Sequence, residues 1–360
     1  MAYISLFTDK GVDLDKLKPE EQKEVAVSIC KDWFEKDRNA KKFYTDEMTE
    51  IYKLYKGDHW DLNNSNGMPL RTEEQKYARP NSVENYTFAF IEGLISEFSQ
   101  EYELIDYPVE KDDEQAASIM TNLKKFLSYK NRNTTELVKF LRNLFWYGTG
   151  IWHIYWDPTW IGGKGPNRWV GDIRWQSLHP GALFPDARCK EDINDGRRVH
   201  KALYKTIEDI KENYPDIADK IMPDMLRDDM LIGYDLDDES YESSEDQILV
   251  IETWYKGEPL VLDEGEENLG PGMHVIWWAG ENNPIYLKHA NYIYFNHDET
   301  PLYPFIVKQC YPRENSIWGY GEAYFIKNPQ IILNKTAEII LEGHMHQAIG
   351  QTIYNESALT

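Results

Sequence analysis

The sequence has few basic residues for its size, and this shortage argues against one large class of proteins. Its 360 residues contain 39 Lys and Arg against 62 Asp and Glu, which gives a formal net charge of −23. Proteins that bind nucleic acid by neutralising phosphates need an excess of Lys and Arg. The composition therefore disfavours a protein that grips nucleic acid, although it permits one past which DNA slides without sticking.

Cysteine is also scarce, and its distribution disfavours metal sites and disulfides. The three cysteines, Cys30, Cys189 and Cys310, lie far apart, and no pair has the spacing of metal ligands. The histidines are scattered, and the His-Glu-x-x-His spacing of a helical zinc site is absent. We therefore predict no metal and no cofactor, and an odd cysteine count fits a reducing cytoplasm.

Long apolar runs and export signals are missing as well. No stretch approaches the ~18 apolar residues that a membrane-spanning helix needs. The first residues, MAYISLFTDKGVDLDKLK, contain no basic region followed by an apolar one. We expect no membrane partner, and we expect the protein to assemble in a cytoplasm.

The motifs of common catalytic sites are not found. The chain lacks a Gly-x-Ser-x-Gly nucleophile elbow. Gly148-Thr-Gly150 and Gly319-Tyr-Gly321 are each only a Gly-x-Gly, without the third glycine or the βαβ unit of a phosphate-binding loop. Both are predicted to be turns. A catalytic pair of carboxylates stays possible from composition, because 62 acidic residues always supply some pairs. No motif, however, supports an enzyme.

Aromatic residues, by contrast, are abundant: the chain has 24 Tyr, 12 Trp and 13 Phe. Such side chains fill cores, form interfaces and stack on sugars. A carbohydrate-active enzyme or carbohydrate-binding protein is therefore the alternative function from a different class.

The order of predicted elements indicates an α+β fold. Helical patterns are followed by an alternating, aromatic hairpin, a further helical stretch, a run of strands and a long last helix, without βαβ alternation. The helices are predicted at 18–56, 83–100, 112–131, 134–147 and 205–230, the last interrupted at Pro215 and Pro223. The hairpin is predicted at 150–157 and 170–178. Residues 224–246 hold ten Asp or Glu against one Arg and are predicted to form a flexible loop.

Four segments, taken in order, resemble the portal proteins of tailed bacteriophages. The first is YKGDHWDLNN with ARPNSVENY, which contains Trp60, Arg79 and Asn85. The second is FWYGTGIWHIYWD, and the third begins SLHPGALFPDARCK. The last, YPFIVKQCYPRENSIWGYGEAYFIKNPQIILN, has a Pro-Phe strand, a Trp-Gly-x-Gly turn and a Gln-x-x-x-Asn pair. The resemblance spans about residues 20 to 345.

The resemblance implies a non-catalytic ring, dodecameric in the family, at one vertex of the capsid. Double-stranded DNA enters and leaves through such a ring. The implied partners are further copies of the chain, the terminase large subunit, head–tail connector (adaptor) proteins, and the major capsid and scaffolding proteins. The implied location is the virion, after assembly in the host cytoplasm.

The resemblance also suggests how the chain is divided. We expect a wing-like region over 1–200, a possible stem-side segment over 201–247 and a possible clip or wing region over 248–316. The long helix would occupy 317–360. Because portal proteins continue to a tunnel loop and a crown, we expect the chain to be an N-terminal portion of a longer protein.

Most of the candidate site residues lie just before or within the last predicted helix. Asn328 and Pro329 have the pattern of an N-cap and a first helical residue, so the long helix is predicted to begin there, after a separate turn GEAYFIK. Lys327 and Lys335 are candidates to face DNA, but the role favoured for each is a solvated or inter-subunit ion pair. Trp277, Trp278 and Tyr294 are candidate contact or core residues. The candidates for a structural joint and for assembly are Trp318, Gly319, Gly321, Pro329, Gln330, Asn334, Trp60, Arg79 and Asn85.

Overall fold

The computed structural model describes most of the chain and confirms an α+β fold. The described residues are 18–64, 67–79, 81–100, 105–108, 110–224, 247–261, 272–292, 294–295, 298 and 300–350. The predicted acidic loop at 224–246 therefore lies outside them, except for Asp224.

Seven helices occur in the described residues, and the four predicted N-terminal helices are confirmed to within a few residues. Left-handed glycines end two of them, Gly57 with φ 94° and Gly148 with φ 85°. The helical stretch predicted from residue 205 breaks at Pro215 as expected, where a 3₁₀ turn begins that ends at Lys220. Residues 221–224 are not helical, and residues 225–230 lie outside the described part of the chain. The helices are α1 Pro19–Lys56, α2 Glu73–Ala78, α3 Tyr86–Phe98, α4 Glu114–Lys130, α5 Asn133–Tyr147, α6 Ile207–Asn213 and α7 Glu322–Ile349.

The strands form two antiparallel sheets. The first has the order β2-β1-β8, and at its centre Ile151 lies opposite both Leu178 and Val307. The second has the order β3-β4-β5-β6-β7. The strands are β1 Thr149–Gly162, β2 Trp169–Leu178, β3 Leu183–Pro185, β4 Arg198–Thr206, β5 Gln247–Gly257, β6 Gly272–Ala279, β7 Ile285–Tyr292 and β8 Phe305–Gln309.

The pairing of β8 shows how the predicted β-rich region is used. β5, β6 and β7 extend the second sheet from β4, whereas β8 pairs with β1 in the first sheet. The hairpin predicted from the alternating pattern is confirmed as β1 and β2. The division of the chain into four regions stays a prediction.

Helix α1 connects the two halves of the core. Its N-terminal half packs Phe34 against one face of the five-stranded sheet, where Trp278 and Tyr255 are about 1% exposed. Its C-terminal half contributes Met48 and Leu54 to a larger cluster shared with α3, α5, the first sheet and α7. Burying side chains of this size stabilises the fold by about 2–3 kcal/mol each.

A buried ion pair fixes α1 to the second sheet. The Asp37 carboxylate accepts two hydrogen bonds from the Arg198 guanidinium, at 2.7 and 2.9 Å, and lies 3.3 Å from His200 Nε2. Burial alone would raise the pKa of Asp37, but hydrogen bonds from His200 and Arg198 outweigh it and lower the pKa. The carboxylate is therefore charged at neutral pH.

The last helix begins earlier than predicted. α7 starts at Glu322 and runs through Pro329, so the Asn328–Pro329 pair lies inside it. Ala323 in the first turn of α7 and Gln330 two turns later are buried and pack the helix against the rest of the protein, while Asn328 and Pro329 are exposed. Proline leaves the carbonyl of Phe325 without its usual helical donor, and this cost is small where solvent can hydrate that carbonyl.

Candidate functional site

Trp318 anchors the segment that leads into α7. Its ring, 4% exposed, stacks on the Tyr44 ring with centroids 4.4 Å apart and planes at 14°. The Tyr44 hydroxyl donates to the Tyr147 carbonyl at 2.7 Å. Trp318 thus joins α1, the end of α5 and the start of α7.

Lys41 packs against the Trp318 ring. Its Nζ donates to the carbonyls of Pro180, Gly181 and Leu183 at 2.6 to 2.9 Å, and it lies 5.0 Å from the Trp318 ring centroid. A buried ammonium surrounded by three carbonyls has its donors satisfied, and the aromatic face adds a cation–π contact.

Two Gly-x-Gly segments pack backbone against backbone at this joint. A Cβ on Gly148 would lie 2.5 Å from the Gly319 carbonyl oxygen and 2.6 Å from the Gly321 nitrogen. A Cβ on Gly321 would lie 2.6 Å from the carbonyl oxygens of Phe145 and Trp146. Since real Cβ atoms do not approach backbone so closely, only glycine fits these positions.

Hydrogen bonds continue the joint into the first sheet. The Cys310 N–H donates to the Gly148 carbonyl at 2.9 Å, and the Gly319 N–H donates to Thr149 Oγ1 at 3.0 Å. Tyr311 and Tyr320 exchange backbone hydrogen bonds of 3.1 and 2.9 Å. The chain therefore leaves β8, folds back beside its end and enters α7 in one connected unit.

Gln330 on α7 binds the start of α3. Its Oε1 accepts hydrogen bonds from the Thr87 N–H and hydroxyl, both at 3.1 Å. Its Nε2 donates to the Glu84 carbonyl at 2.5 Å and to Asn334 Oδ1 at 3.0 Å. The buried amide is fully paired, so it positions α7 against α3.

Asn334, one turn further on, links α7 to the end of α1. Its Oδ1 accepts from the Glu84 N–H at 3.2 Å, and its Nδ2 donates to His59 Nδ1 at 2.7 Å. His59 Nε2 in turn donates to the Leu54 carbonyl at 3.1 Å. Burial lowers the pKa of His59, which fits the neutral tautomer that these bonds require.

Asn85 serves both α1 and α3. Its Oδ1 accepts from the Phe88 N–H at 3.0 Å and caps α3. Its Nδ2 donates to the Leu54 carbonyl at 3.3 Å, at the end of α1. The predicted assembly residue thus lies beside Gln330 and Asn334.

Trp60 and Arg79, which follow α1 and α2, lie near residues further along α7. The Arg71 guanidinium stacks 3.6 Å above the buried Trp60 ring and pairs with Glu338 of α7. Arg79 is exposed, and its Nε is 3.9 Å from Glu342 Oε1, also on α7. Of the sequence-predicted joint residues, Trp60 packs in this region whereas Arg79 makes only a loose surface pair.

The two predicted DNA-facing lysines differ in their surroundings. Lys327 Nζ lies 3.1 Å from Glu50 Oε2 on α1, within the same chain. Lys335 is exposed on α7. Lys327 therefore forms an ion pair within its own chain, whereas the sequence favoured a solvated or inter-subunit pair.

Sequence reasoning missed several residues on which the joint depends. The missed residues on or against α7 are buried and polar: His59, Thr87, Arg71 and Glu338. Lys41, also buried, lies beside Trp318. Buried polar side chains are rare unless paired, but a single sequence does not reveal which polar residue is buried. Trp278 is 1% exposed and is a core residue, which corrects its candidacy as a contact residue.

Among the described residues, neither a metal site nor a membrane span is found. In the part of the chain that the structure describes, no group of three or more His, Cys, Asp or Glu residues is placed to hold a metal ion. None of the described helices is both long and apolar enough to cross a bilayer.

A family model described as phage P22-like portal protein matches residues 31–360, and the chain belongs to this family. The family is structural and non-enzymatic and supplies a component of the virion. No curated protein sequence matches the chain.

Proposed function

We propose that the chain is a portal subunit and that twelve copies form a ring at one capsid vertex. Double-stranded DNA is packaged and ejected through the ring. It docks the terminase large subunit first and head–tail connector proteins later, and it sits among the major capsid and scaffolding proteins. The observation that carries the proposal is the family match over residues 31–360.

Two exposed apolar patches support assembly into a ring. On α7, Phe325, Ile332 and Ile339 are 52 to 68% exposed. On α4, which has no buried residue, Ile119 and Phe126 are 58 and 50% exposed. A ring buries two different faces of each subunit, and large exposed apolar patches mark such interfaces.

The charge of the chain is compatible with a DNA passage. A net charge of −23 repels phosphate over most of the surface, so DNA meets few sites at which it would be held. Within this proposal, exposed Lys335 is the better candidate to guide the duplex, because Lys327 is paired with Glu50.

The particle mass of the purified full chain tests the proposal. Twelve copies of the 42.4 kDa chain would give 12 × 42.4 ≈ 509 kDa, seen as annular particles in negative stain. Ile339→Glu should yield smaller species with an unchanged circular dichroism spectrum, because a carboxylate cannot be buried cheaply in an apolar interface.

The matched control is Met222→Glu, since Met222 is 64% exposed and lies outside both patches. It should assemble as the unmodified chain does. A strict monomer of the protein made from its full-length gene, above all one that binds or hydrolyses a polysaccharide, would contradict the portal role.

A further inference from the structure

The five-stranded sheet has one covered face and one that borders a large cleft. Helix α1 covers the face that carries Ile251 and Trp278. The opposite face, with Leu203, Val250 and Val275, looks towards the β1–β2 hairpin across a cleft of about 1060 Å³. Ligand sites usually occupy roughly 300–1,000 Å³, so this cleft is large enough for an elongated ligand.

The cleft has aromatic walls. Trp156 of β1, 52% exposed, lies on one side, and Trp277 of β6 lies on the other. The backbone N–H of Trp156 donates to the Tyr294 hydroxyl at 2.7 Å, and this bond connects β1 to the segment after β7. These rings offer large contact area at low entropic cost.

The charge of the cleft is opposite to that of the chain. Three lysines line it, Lys201, Lys205 and Lys288, against one carboxylate, Glu252. Lys201 pairs with Glu252 at 3.1 Å, so Lys205 and Lys288 leave a local positive excess. A cationic, apolar cleft in a chain of net charge −23 selects an acidic ligand.

A buried imidazole adds a hydrogen-bond donor at the base of the cleft. His153 is 3% exposed, and its Nδ1 accepts from Gln176 Nε2 at 3.5 Å. Burial and nearby Lys201 hold the pKa of His153 well below its usual range, so the ring is neutral and carries its proton on Nε2. That Nε2 has no hydrogen-bond partner in the described structure.

The border of the cleft is an edge strand. β7 is last in the sheet order, and among the described residues no strand pairs with its outer side. Its Lys288 and Ala290 line the cleft. An extended peptide beside such an edge gains backbone hydrogen bonds and directs alternate side chains into the cleft.

We propose that this cleft docks an extended, acidic peptide segment of a partner protein. Apolar side chains of the segment pack between Trp156 and Trp277, and its carboxylates meet Lys205 and Lys288. An acceptor oxygen of the segment takes the free donor of His153. A neutral sugar fits less well, because the floor is aliphatic and the polar groups are mainly cationic. This docking requires neither the ring nor the DNA channel.

Calorimetric titration of the full chain with a short synthetic peptide of alternating Glu and Leu tests the proposal. The Glu peptide should bind, and a peptide with Lys in place of Glu should bind at least about tenfold more weakly. Combined Lys205→Glu and Lys288→Glu should weaken the Glu peptide by about tenfold or more. Lys36→Glu is the matched control, since Lys36 is exposed on α1.

Other outcomes would overturn the proposal. Failure of the Glu peptide to bind, equal binding of both peptides, or preference for a neutral oligosaccharide would each do so. Photocrosslinking from position 290 during assembly distinguishes the remaining occupants, because a crosslink to the chain itself or to a second copy contradicts a partner segment. A crosslink to an acidic peptide of another protein supports it.

Discussion

Gly148 and Gly321 touch through their backbones, although 173 residues separate them along the chain (321 − 148 = 173). A Cβ on either residue would lie under 3 Å from the backbone nitrogen of the other, at 2.6 and 2.8 Å. The end of α5 and the start of α7 are thus so close that neither position has room for a Cβ atom.

Gly321→Val should destabilise the protein and impair ring assembly, because its Cβ would overlap the carbonyls of Phe145 and Trp146. Gly321 has φ −91°, so the effect is steric and does not arise from backbone strain. We expect a loss of about 2–3 kcal/mol in the free energy of unfolding, measured by denaturant titration.

Gly343 provides the control for this substitution, since it is helical and a Cβ there meets nothing within 4 Å. Gly343→Ala should be neutral or stabilising by up to about 1 kcal/mol. Normal stability and normal assembly of Gly321→Val would show that the joint does not depend on the close approach.

Asn334 and His59 should be energetically coupled. Each single change to Ala removes a partner from the 2.7 Å hydrogen bond and should cost about 1–3 kcal/mol. The double variant should cost less than the sum, with a coupling of at least about 0.5 kcal/mol in a double-mutant cycle. Strict additivity would mean that the bond does not stabilise the contact between α1 and α7.

Acidification should destabilise the fold partly through His179. Burial, aided by nearby Lys41, lowers the pKa of this imidazole to about 3. Below about pH 6.5 the unfolded chain binds a proton that the folded chain does not, so stability falls as the pH drops from there towards 3. The contribution is at most about 1.4 kcal/mol per pH unit.

His179→Asn checks this prediction, since Asn keeps an acceptor for the Gly181 N–H that now donates to His179 at 3.0 Å. The variant should be less stable at pH 7.5 but should lose less stability between pH 6.5 and 4.5. An unchanged slope would exclude His179 as a source of the acid sensitivity.

Charge reversal at the two lysines should have different consequences. Lys335→Glu should reduce the DNA packaged per capsid and leave the melting temperature unchanged, because Lys335 is exposed. Lys327→Glu should lower the melting temperature, because it places a carboxylate beside Glu50. Unchanged packaging by Lys335→Glu in assembled rings would remove this lysine from the DNA path.

The sequence predicted the elements whose signals are local. α1 has a long uninterrupted helical pattern, and the β1–β2 hairpin alternates strictly around a glycine turn, so both were confirmed. The predicted start of α7 was wrong, because Asn328 and Pro329 form a local start signal, whereas burial of Ala323 favours a helix that begins earlier. Tertiary burial decided the boundary against the local preference.

The joint itself was only partly predictable. The resemblance selected Trp318, Gly321, Gln330 and Asn334, all of which are buried. Their partners were not predictable, because His59 is 275 residues from Asn334 and Gly148 was recognised only as the glycine of a turn. One sequence carries no information on such distant pairs.

The separation of these contacts along the chain also constrains the order of events at the ribosome. α1 ends at Lys56, yet its last turn is completed by Asn334 through His59. At synthesis rates of 5–20 residues per second, the 278 residues that are added after Lys56 up to and including Asn334 (334 − 56 = 278) take roughly 15 to 55 s. During that interval the apolar side of the first helix lacks its final partner, so the nascent chain is most vulnerable to aggregation before its last helix emerges.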